Sequence, residues 1–169
     1  AGVSGGVIQS RIATLPTGPY RQEIILQSSK LTIINDTTAT SPEGGMAAIR
    51  RLHAPNMVLI CGGTDRQLDY RAWARLVRTH VNCNNLIFLA GSATQKMCTA
   101  LGTWRRGIRI YSTLEEAFDA GVRRAREYGH GLVVFSPAAK SFELFANEFD
   151  RGQQFNALVK GLESKKKKR

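Results

Sequence analysis

A pair of glycines directly after a short apolar run marks a candidate binding loop. The run covers residues 57–61, and Gly62 and Gly63 then lead into Thr64-Asp65-Arg66. Glycine permits positive φ angles and lets a ligand come close to the backbone, and in an open parallel sheet ligands bind outside the carboxyl ends of the strands. Arg66 can hold a carboxylate in a bidentate fork, although an arginine in a loop taken alone is commonly just solvated.

Two further segments have the same character. Residues 35–41 place hydroxyls and one carboxylate between a predicted strand and a predicted helix, where free N–H groups suit a carboxylate or a phosphate. Residues 135–145 place Lys140 beside Ser141, which is predicted at the start of a helix. Ordinary helix capping explains either segment taken alone. The order and spacing of all three segments favour one shared ligand site.

Strand and helix patterns alternate along the chain, and this predicts the fold. Ser41-Pro42-Glu43 is typical of a helix start, and Ser112-Thr113-Leu114-Glu115 matches a capping box. The alternation predicts an α/β, Rossmann-like, three-layer domain with a mostly parallel sheet of about six strands and helices on both faces. Right-handed crossovers place the strand-end loops on one rim. The predicted strands are residues 21–26, 31–34, 57–61, 86–90, 108–111 and 132–135, and the predicted helices are residues 42–53, 70–79, 94–101, 113–128 and 141–162.

Length and composition indicate one globular domain. The chain has 169 residues, of which 43% are hydrophobic and 22% charged, enough for a single core. We expect residues 1–15 to be a linker or the end of a preceding domain, residues 16–162 to be the main domain, and residues 163–169 to be a disordered basic tail. No apolar run approaches the roughly 18 residues of a membrane span. The three cysteines have neither metal-site nor disulfide-framework spacing, which favours a cytoplasmic location and predicts no metal site.

The net charge of +11 leaves a second class of function open. Five of these charges lie in the terminal residues 165–169, a run that is usually solvated. The body of the chain has no zinc-finger spacing and no aromatic RNA-binding signature. A basic, Rossmann-like module that binds nucleic acid is therefore kept as the alternative.

Three stretches, taken together, resemble the C-terminal domain of the Mur ligases, and most closely its D-glutamate-adding members. They are residues 35–40, residues 62–70, and residues 136–142 continuing to 155. The resemblance implies an ATP-dependent amide ligase of peptidoglycan precursor synthesis. In that reaction a substrate carboxylate becomes an acyl phosphate, the amine of the incoming amino acid attacks it, and phosphate leaves. The implied partners are D-glutamate, ATP with Mg²⁺, and UDP-N-acetylmuramoyl-L-alanine.

The resemblance also implies a role for individual positions. Thr40 and Arg66 would hold the α-carboxylate of D-glutamate. The residues expected around its side-chain carboxylate are Ser141, Phe142 and Glu148 with its neighbouring backbone N–H. The residues expected to contact the nucleotide are Arg21, Asn35 and Asp36.

The chain departs from the family pattern at positions that matter for catalysis. Thr38 and Arg66 both stand where the family commonly has lysine, and Lys140 replaces a small residue. We hypothesise that Lys140 restores the cation missing at Thr38, which makes these two the candidate catalytic positions. No G-x-x-x-x-G-K-[ST] phosphate-binding loop occurs, so the chain is not expected to catalyse alone. Another Mur ligase or a folylpolyglutamate synthase-like ligase stays open, because a few side chains can change amino-acid specificity.

Overall fold

A single six-stranded sheet organises the chain, and the computed structural model describes residues 2–14, 18–105 and 107–167. The strand order is β1-β2-β6-β3-β4-β5, in which β1 pairs antiparallel with β2 and the other neighbours are parallel. The strands are β1 (Glu23–Gln27), β2 (Leu31–Asn35), β3 (Met57–Cys61), β4 (Leu86–Leu89), β5 (Ile110–Tyr111) and β6 (Gly131–Phe135). The helices are α1 (Gly5–Thr14), α2 (Pro42–Leu52), α3 (Arg71–His80), α4 (Ser92–Leu101), α5 (Leu114–Ala125) and α6 (Glu148–Lys167). The predicted α/β, Rossmann-like class is confirmed.

Helices cover both faces of the sheet, which makes three layers. On one face, α2, α3 and α4 pack over β3 and β4 around the fully buried Trp73 and Phe88. On the other face, α5 and α6 pack over the sheet, and Phe155 of α6 stacks on Phe135 of β6 with ring centroids 4.5 Å apart. Strands buried on both faces are apolar at every position, and all five residues of β3 are buried.

The strand register brings the carboxyl ends of the central strands to one edge. Asn35 at the end of β2 pairs with Phe135 at the end of β6, and Ile60 of β3 also pairs with Phe135. The chain leaves β2, β3 and β6 at this edge, so the three polar segments begin side by side. This edge is called the carboxyl edge below.

The predicted helix start at Ser141 is wrong. Residues 141–147 form turns, and α6 begins at Glu148. The side-chain oxygen of Asn147 accepts hydrogen bonds from the backbone N–H groups of Phe149 and Asp150, both at 2.9 Å, which is the geometry of an N-cap. Asn147 is thus the capping residue, and Ser141 lies in the connecting loop.

Other element bounds differ by small amounts. The capping box of α5 is formed by Thr113 and Glu116, one residue later than predicted, because both Ser112 and Thr113 have a glutamate three residues on. Strand β5 has only two residues, and α5 ends at Ala125.

Both ends of the chain contain helix, where the sequence predicts a linker or the end of a preceding domain at residues 1–15 and a disordered tail at residues 163–169. Residues 5–14 form α1, and α6 continues to Lys167 through lysines, which favour helix. The predicted domain boundary at residues 15 and 16 and the last two residues of the tail lie outside the described residues. None of the described helices has the length and hydropathy to cross a bilayer.

Candidate functional site

Backbone hydrogen bonds join the three polar segments at the carboxyl edge. The N–H of Gly62 donates to the carbonyl of Pro137 at 2.9 Å, and Thr64 and Lys140 exchange backbone hydrogen bonds of 2.8 and 3.1 Å. On the other side of β6, the N–H of Asp36 donates to Phe135 at 2.8 Å. The loop after β6 therefore lies between the other two.

The two glycines after β3 are required by close approach of the backbone. Gly62 has φ +109° and Gly63 has φ +138°, values that side chains other than glycine's rarely adopt. A Cβ at Gly62 would collide with the carbonyl of Leu89, and one at Gly63 would collide with the carbonyl of Lys140. The glycines thus let the loop after β3 lie against its neighbours.

Ser141 is the most unusual polar residue of the site. It is 2% exposed, and its hydroxyl has no hydrogen-bond partner among the described residues. A buried polar group without a partner costs about 1–3 kcal/mol, and such a group in a native structure indicates a missing partner. Beside it, the Nζ of Lys140 lies 3.8 Å from a carboxylate oxygen of Glu148, and both side chains are mostly buried.

A second group of site residues lines a cavity of about 330 Å³ between the loop after β2 and the segment before β1. Arg21, Asp36, Thr38 and Thr40 lie in its wall. The carboxylate of Asp36 accepts hydrogen bonds from the hydroxyl of Ser136 at 2.7 Å and from the N–H of Gln22 at 3.1 Å. Burial raises the pKa of Asp36, while these two hydrogen bonds and the charge of Arg21 act against the rise.

Asn35 and Thr38 have their side chains engaged within the protein. The amide of Asn35 is fully buried, donates to the carbonyl of Gly152 and the side chain of Asn156, and accepts from the N–H of Thr37. Both N–H donors of the Asn35 amide and one lone pair of its oxygen are used within the protein, and they support the loop after β2. The hydroxyl of Thr38 donates to the carbonyl of Tyr20 at 2.9 Å.

The predicted D-glutamate residues do not form one group. Ser141 is next to Lys140, the predicted catalytic residue, whose Nζ lies 3.8 Å from Glu148, whereas Thr40 lines the cavity with Asp36. Arg66 is exposed, two residues beyond the Thr64–Lys140 pair. Within the described ranges, no hydrogen bond or ion pair joins Thr40, Arg66 and Ser141. Phe142 is 58% exposed, so its ring is open to solvent.

Arg151 joins the loops after β2 and β6 through its hydrogen bonds, and the sequence reasoning did not identify it. Its guanidinium is fully buried and donates to the hydroxyl and carbonyl of Thr37, both at 2.8 Å, and to the carbonyls of Ala139 and Lys140 at 3.1–3.2 Å. Burial lowers its pKa to about 10, partly offset by the charge of Glu148. The helical spacing of the sequence indicated its burial, since Arg151 lies four residues before the buried Phe155 and therefore on the same inner face of α6.

Glu143 is a second residue that the sequence reasoning missed. Its carboxylate accepts a hydrogen bond of 2.9 Å from the N–H of Ser92 at the start of α4, and also one from the Ser92 hydroxyl. Its own N–H donates to the hydroxyl of Thr64 at 2.9 Å. A carboxylate at a helix N-terminus is stabilised by the helix dipole, so Glu143 fixes the loop that contains Ser141.

Comparison with known proteins gives many relatives of one kind. The chain is 32% identical over 163 residues to the UDP-N-acetylmuramoylalanine–D-glutamate ligase of Roseiflexus sp. (strain RS-1), covering 95% of this chain and 34% of the relative. It is 36% identical to the ligases of the same name from Treponema pallidum and Chlorobaculum tepidum, covering 83% and 96% of this chain but 26% and 33% of those relatives. The chain thus spans about a third or less of these relatives. No protein-family model matches it.

Proposed function

Since the chain belongs to the Mur ligase family, as a relative of its C-terminal domain, we propose that it binds the incoming amino acid in an ATP-dependent ligase. The amino acid is D-glutamate, and the acceptor carboxylate belongs to UDP-N-acetylmuramoyl-L-alanine. The reaction proceeds through an acyl phosphate, which the amine of D-glutamate attacks with loss of phosphate. We propose that this reaction takes place in the cytoplasm.

The observation that carries the proposal is the unpartnered hydroxyl of Ser141. A carboxylate is an acceptor only, and a buried serine hydroxyl can donate to it without giving up another bond. Lys140, the residue before Ser141, adds a cation near the same place, and its Nζ lies 3.8 Å from a carboxylate oxygen of Glu148. We assign the side-chain carboxylate of D-glutamate to this position.

The α-carboxylate is assigned to Arg66, with Thr40 as a hydroxyl donor. Arg66 is exposed, so its guanidinium is free to form a bidentate pair with an entering carboxylate. Thr40 is half-buried in the loop after β2. Charged contacts of this kind gain strength when the site closes and water leaves, which fits an enzyme whose domains close on the substrate.

The nucleotide is assigned to the cavity of about 330 Å³ beside the loop after β2. Arg21 supplies a cation for phosphate, and Asp36 is fixed in place by Gln22 and Ser136 and can accept from a hydroxyl. ATP supplies the phosphate that activates the acceptor carboxylate. In the described part of the chain, no group of three His, Cys, Asp or Glu residues could hold a metal ion. Most ATP and Mg²⁺ contacts are assigned to a separate central domain.

Lys140 is proposed as the cation that replaces the lysine missing at Thr38. The loops that carry the two residues leave neighbouring strands, β6 and β2. The test is turnover of Lys140→Ala in the full-length protein, where a large fall is expected. Turnover near that of the wild type would remove Lys140 from the mechanism.

The function is tested by a ligase assay on the full-length protein with UDP-N-acetylmuramoyl-L-alanine, ATP and a panel of amino acids. We expect incorporation of D-glutamate with release of phosphate, and no incorporation of L-glutamate or of diamino acids. Preference for another amino acid would assign the chain to a different ligase. The 169-residue chain alone is expected to be inactive, because it has no phosphate-binding loop of the G-x-x-x-x-G-K-[ST] type.

A further inference from the structure

Two histidines meet at the ends of neighbouring helices, away from the carboxyl edge. His53 caps the C-terminus of α2, and His80 is the last residue of α3. Their ring centroids are 5.0 Å apart and their planes are nearly perpendicular, at 86°. Both helices start near the carboxyl edge, so the pair lies at the opposite end of the helices and takes no part in the proposed ligase site.

The hydrogen bonds of the two rings determine which nitrogen is free. The Nδ1 of His53 lies 3.1 Å from the carbonyl of Arg50, and the Nδ1 of His80 lies 3.1 Å from the carbonyl of Leu76. A carbonyl only accepts, so these contacts are hydrogen bonds in the tautomer that has the proton on Nδ1. The Nδ1 of His80 also lies 2.7 Å from the hydroxyl of Thr79, which can accept from it while donating to the carbonyl of Leu76 at 2.9 Å. In the neutral rings each Nε2 then has a free lone pair, and neither has a hydrogen-bond partner among the described residues.

Metal-ligating histidines share the first of these features, since their second nitrogen commonly donates to a backbone carbonyl, which fixes the tautomer. A zinc-type ion about 2.0–2.1 Å from each Nε2, at a tetrahedral angle, would hold the ring centroids about 5 Å apart. The observed separation is 5.0 Å. Two helix C-termini, with their negative dipole ends, also favour a cation at this place.

We propose that His53 and His80 form a two-imidazole binding site for a borderline divalent cation such as Zn²⁺, Ni²⁺ or Cu²⁺. Imidazole suits these ions, and water completes the coordination. A bound ion would clip α2 to α3, which pack on the same core. The site is independent of the ligase chemistry.

The third histidine of the chain provides a matched control. Both nitrogens of His130 have partners, since Nδ1 lies 3.1 Å from the carbonyl of Ser29 and Nε2 lies 3.2 Å from the hydroxyl of Thr32. His130 therefore has the same chemistry as the pair but no free lone pair and no neighbouring imidazole. Replacing it should leave metal binding unchanged.

The test is calorimetric titration of Ni²⁺ into the untagged 169-residue chain at pH 7.5, with NMR of the imidazole protons. We expect one Ni²⁺ per chain, with resonances of His53 and His80 broadened first and those of His130 retained. His53→Asn and His80→Asn should each weaken binding about tenfold or more, since loss even of a supporting group costs about that much. His130→Asn should bind as the wild type does.

Two results would overturn the proposal. One is the absence of saturable Ni²⁺ binding by the wild-type chain. The other is binding that His53→Asn and His80→Asn leave unchanged, which would move the ion to another group such as the thiol of Cys83; Cys83→Ser identifies that case. Far-UV circular dichroism of each variant shows that the fold is retained.

Discussion

Replacing Arg151 by methionine should be among the most damaging single changes in this domain. The guanidinium has five N–H donors, and five hydrogen bonds of 2.8–3.2 Å reach four acceptors on two loops. Methionine matches the unbranched stem of arginine and can fill most of its space, but it donates nothing. The change therefore tests the hydrogen bonds more than the packing.

The magnitude follows from the acceptors left behind. Each buried acceptor that loses its only donor costs about 1–3 kcal/mol. The carbonyl of Lys140 keeps the N–H of Thr64 as a donor, so the other three acceptors cost about 3 kcal/mol at the lower end. Burial of the charged guanidinium is itself unfavourable and lowers the pKa of Arg151 to about 10 in the folded protein. Removing the charge therefore recovers part of this desolvation cost. We expect a net loss of about 3–5 kcal/mol, the range seen when one partner of a buried charged network is removed. Domains of this size have about 5–15 kcal/mol in all.

Urea unfolding of the 169-residue chain measures the loss. Arg75→Met is the matched control, since Arg75 is exposed on α3 and should change stability by about 0.5 kcal/mol or less. Arg151→Lys should lie between the two, because it keeps the charge but lacks the planar set of five donors. A loss below about 1 kcal/mol for Arg151→Met would refute the assignment of Arg151 as the residue that joins the loops after β2 and β6.

Three further changes test the carboxyl edge. Gly62→Ala should lower the free energy of unfolding by about 2 kcal/mol or more, because the residue has a positive φ and its new Cβ would collide with the backbone of β4. The control Gly161→Ala, in open space on α6, should raise it by about 0.5–1 kcal/mol. Equal effects of the two changes in urea unfolding would contradict this reasoning. Asp36→Asn should be more stable relative to the wild type at pH 7 than at pH 3.5: burial raises the folded pKa of Asp36, so the wild type carries a penalty for its charge that disappears once the group is protonated in both states. A stability difference that is constant with pH would count against this. Glu143→Ala should speed amide hydrogen exchange in residues 141–147, since it removes the bonds to the start of α4; unchanged protection would show that other contacts hold the loop.

Periodicity and cap residues predicted most of the fold. Strand β3 is a continuous apolar run, and β2 and β6 are mostly apolar. Helix α2 has Ser41 and Pro42 at its start, where the side chain of Ser41 accepts from the N–H of Gly44 at 3.3 Å. These signals are local, so they can be read without the tertiary structure. The order of strands in the parallel sheet then places the polar loops together.

The errors have a common cause, which is competition between local signals. Both Ser112 and Thr113 match a capping box, and α5 uses Thr113. Ser141 and Asn147 are both plausible helix caps, and the second is used because the loop between them reaches to Ser92 through Glu143. In each case the local sequence offers two candidate caps and does not distinguish between them.

Arg151 shows most clearly what the sequence could not reveal. Arginine is rarely fully buried unless its donors have partners, and the acceptors here are backbone carbonyls and one hydroxyl more than ten residues away. Any residue type can supply a backbone carbonyl, so the residue types at positions 37, 139 and 140 do not indicate that these carbonyls accept from Arg151. Its position on the inner face of α6 was visible, but its partners were not.

The binding role of Ser141 is tested most directly by the KM for D-glutamate of the full-length protein with Ser141→Ala. We predict a rise of about tenfold or more, the equivalent of one hydrogen bond to a charged group, with little change in thermal stability because the hydroxyl has no partner to lose. Ser164→Ala, on the exposed side of α6, is the control. Incorporation of D-glutamate with an unchanged KM for Ser141→Ala would contradict the account.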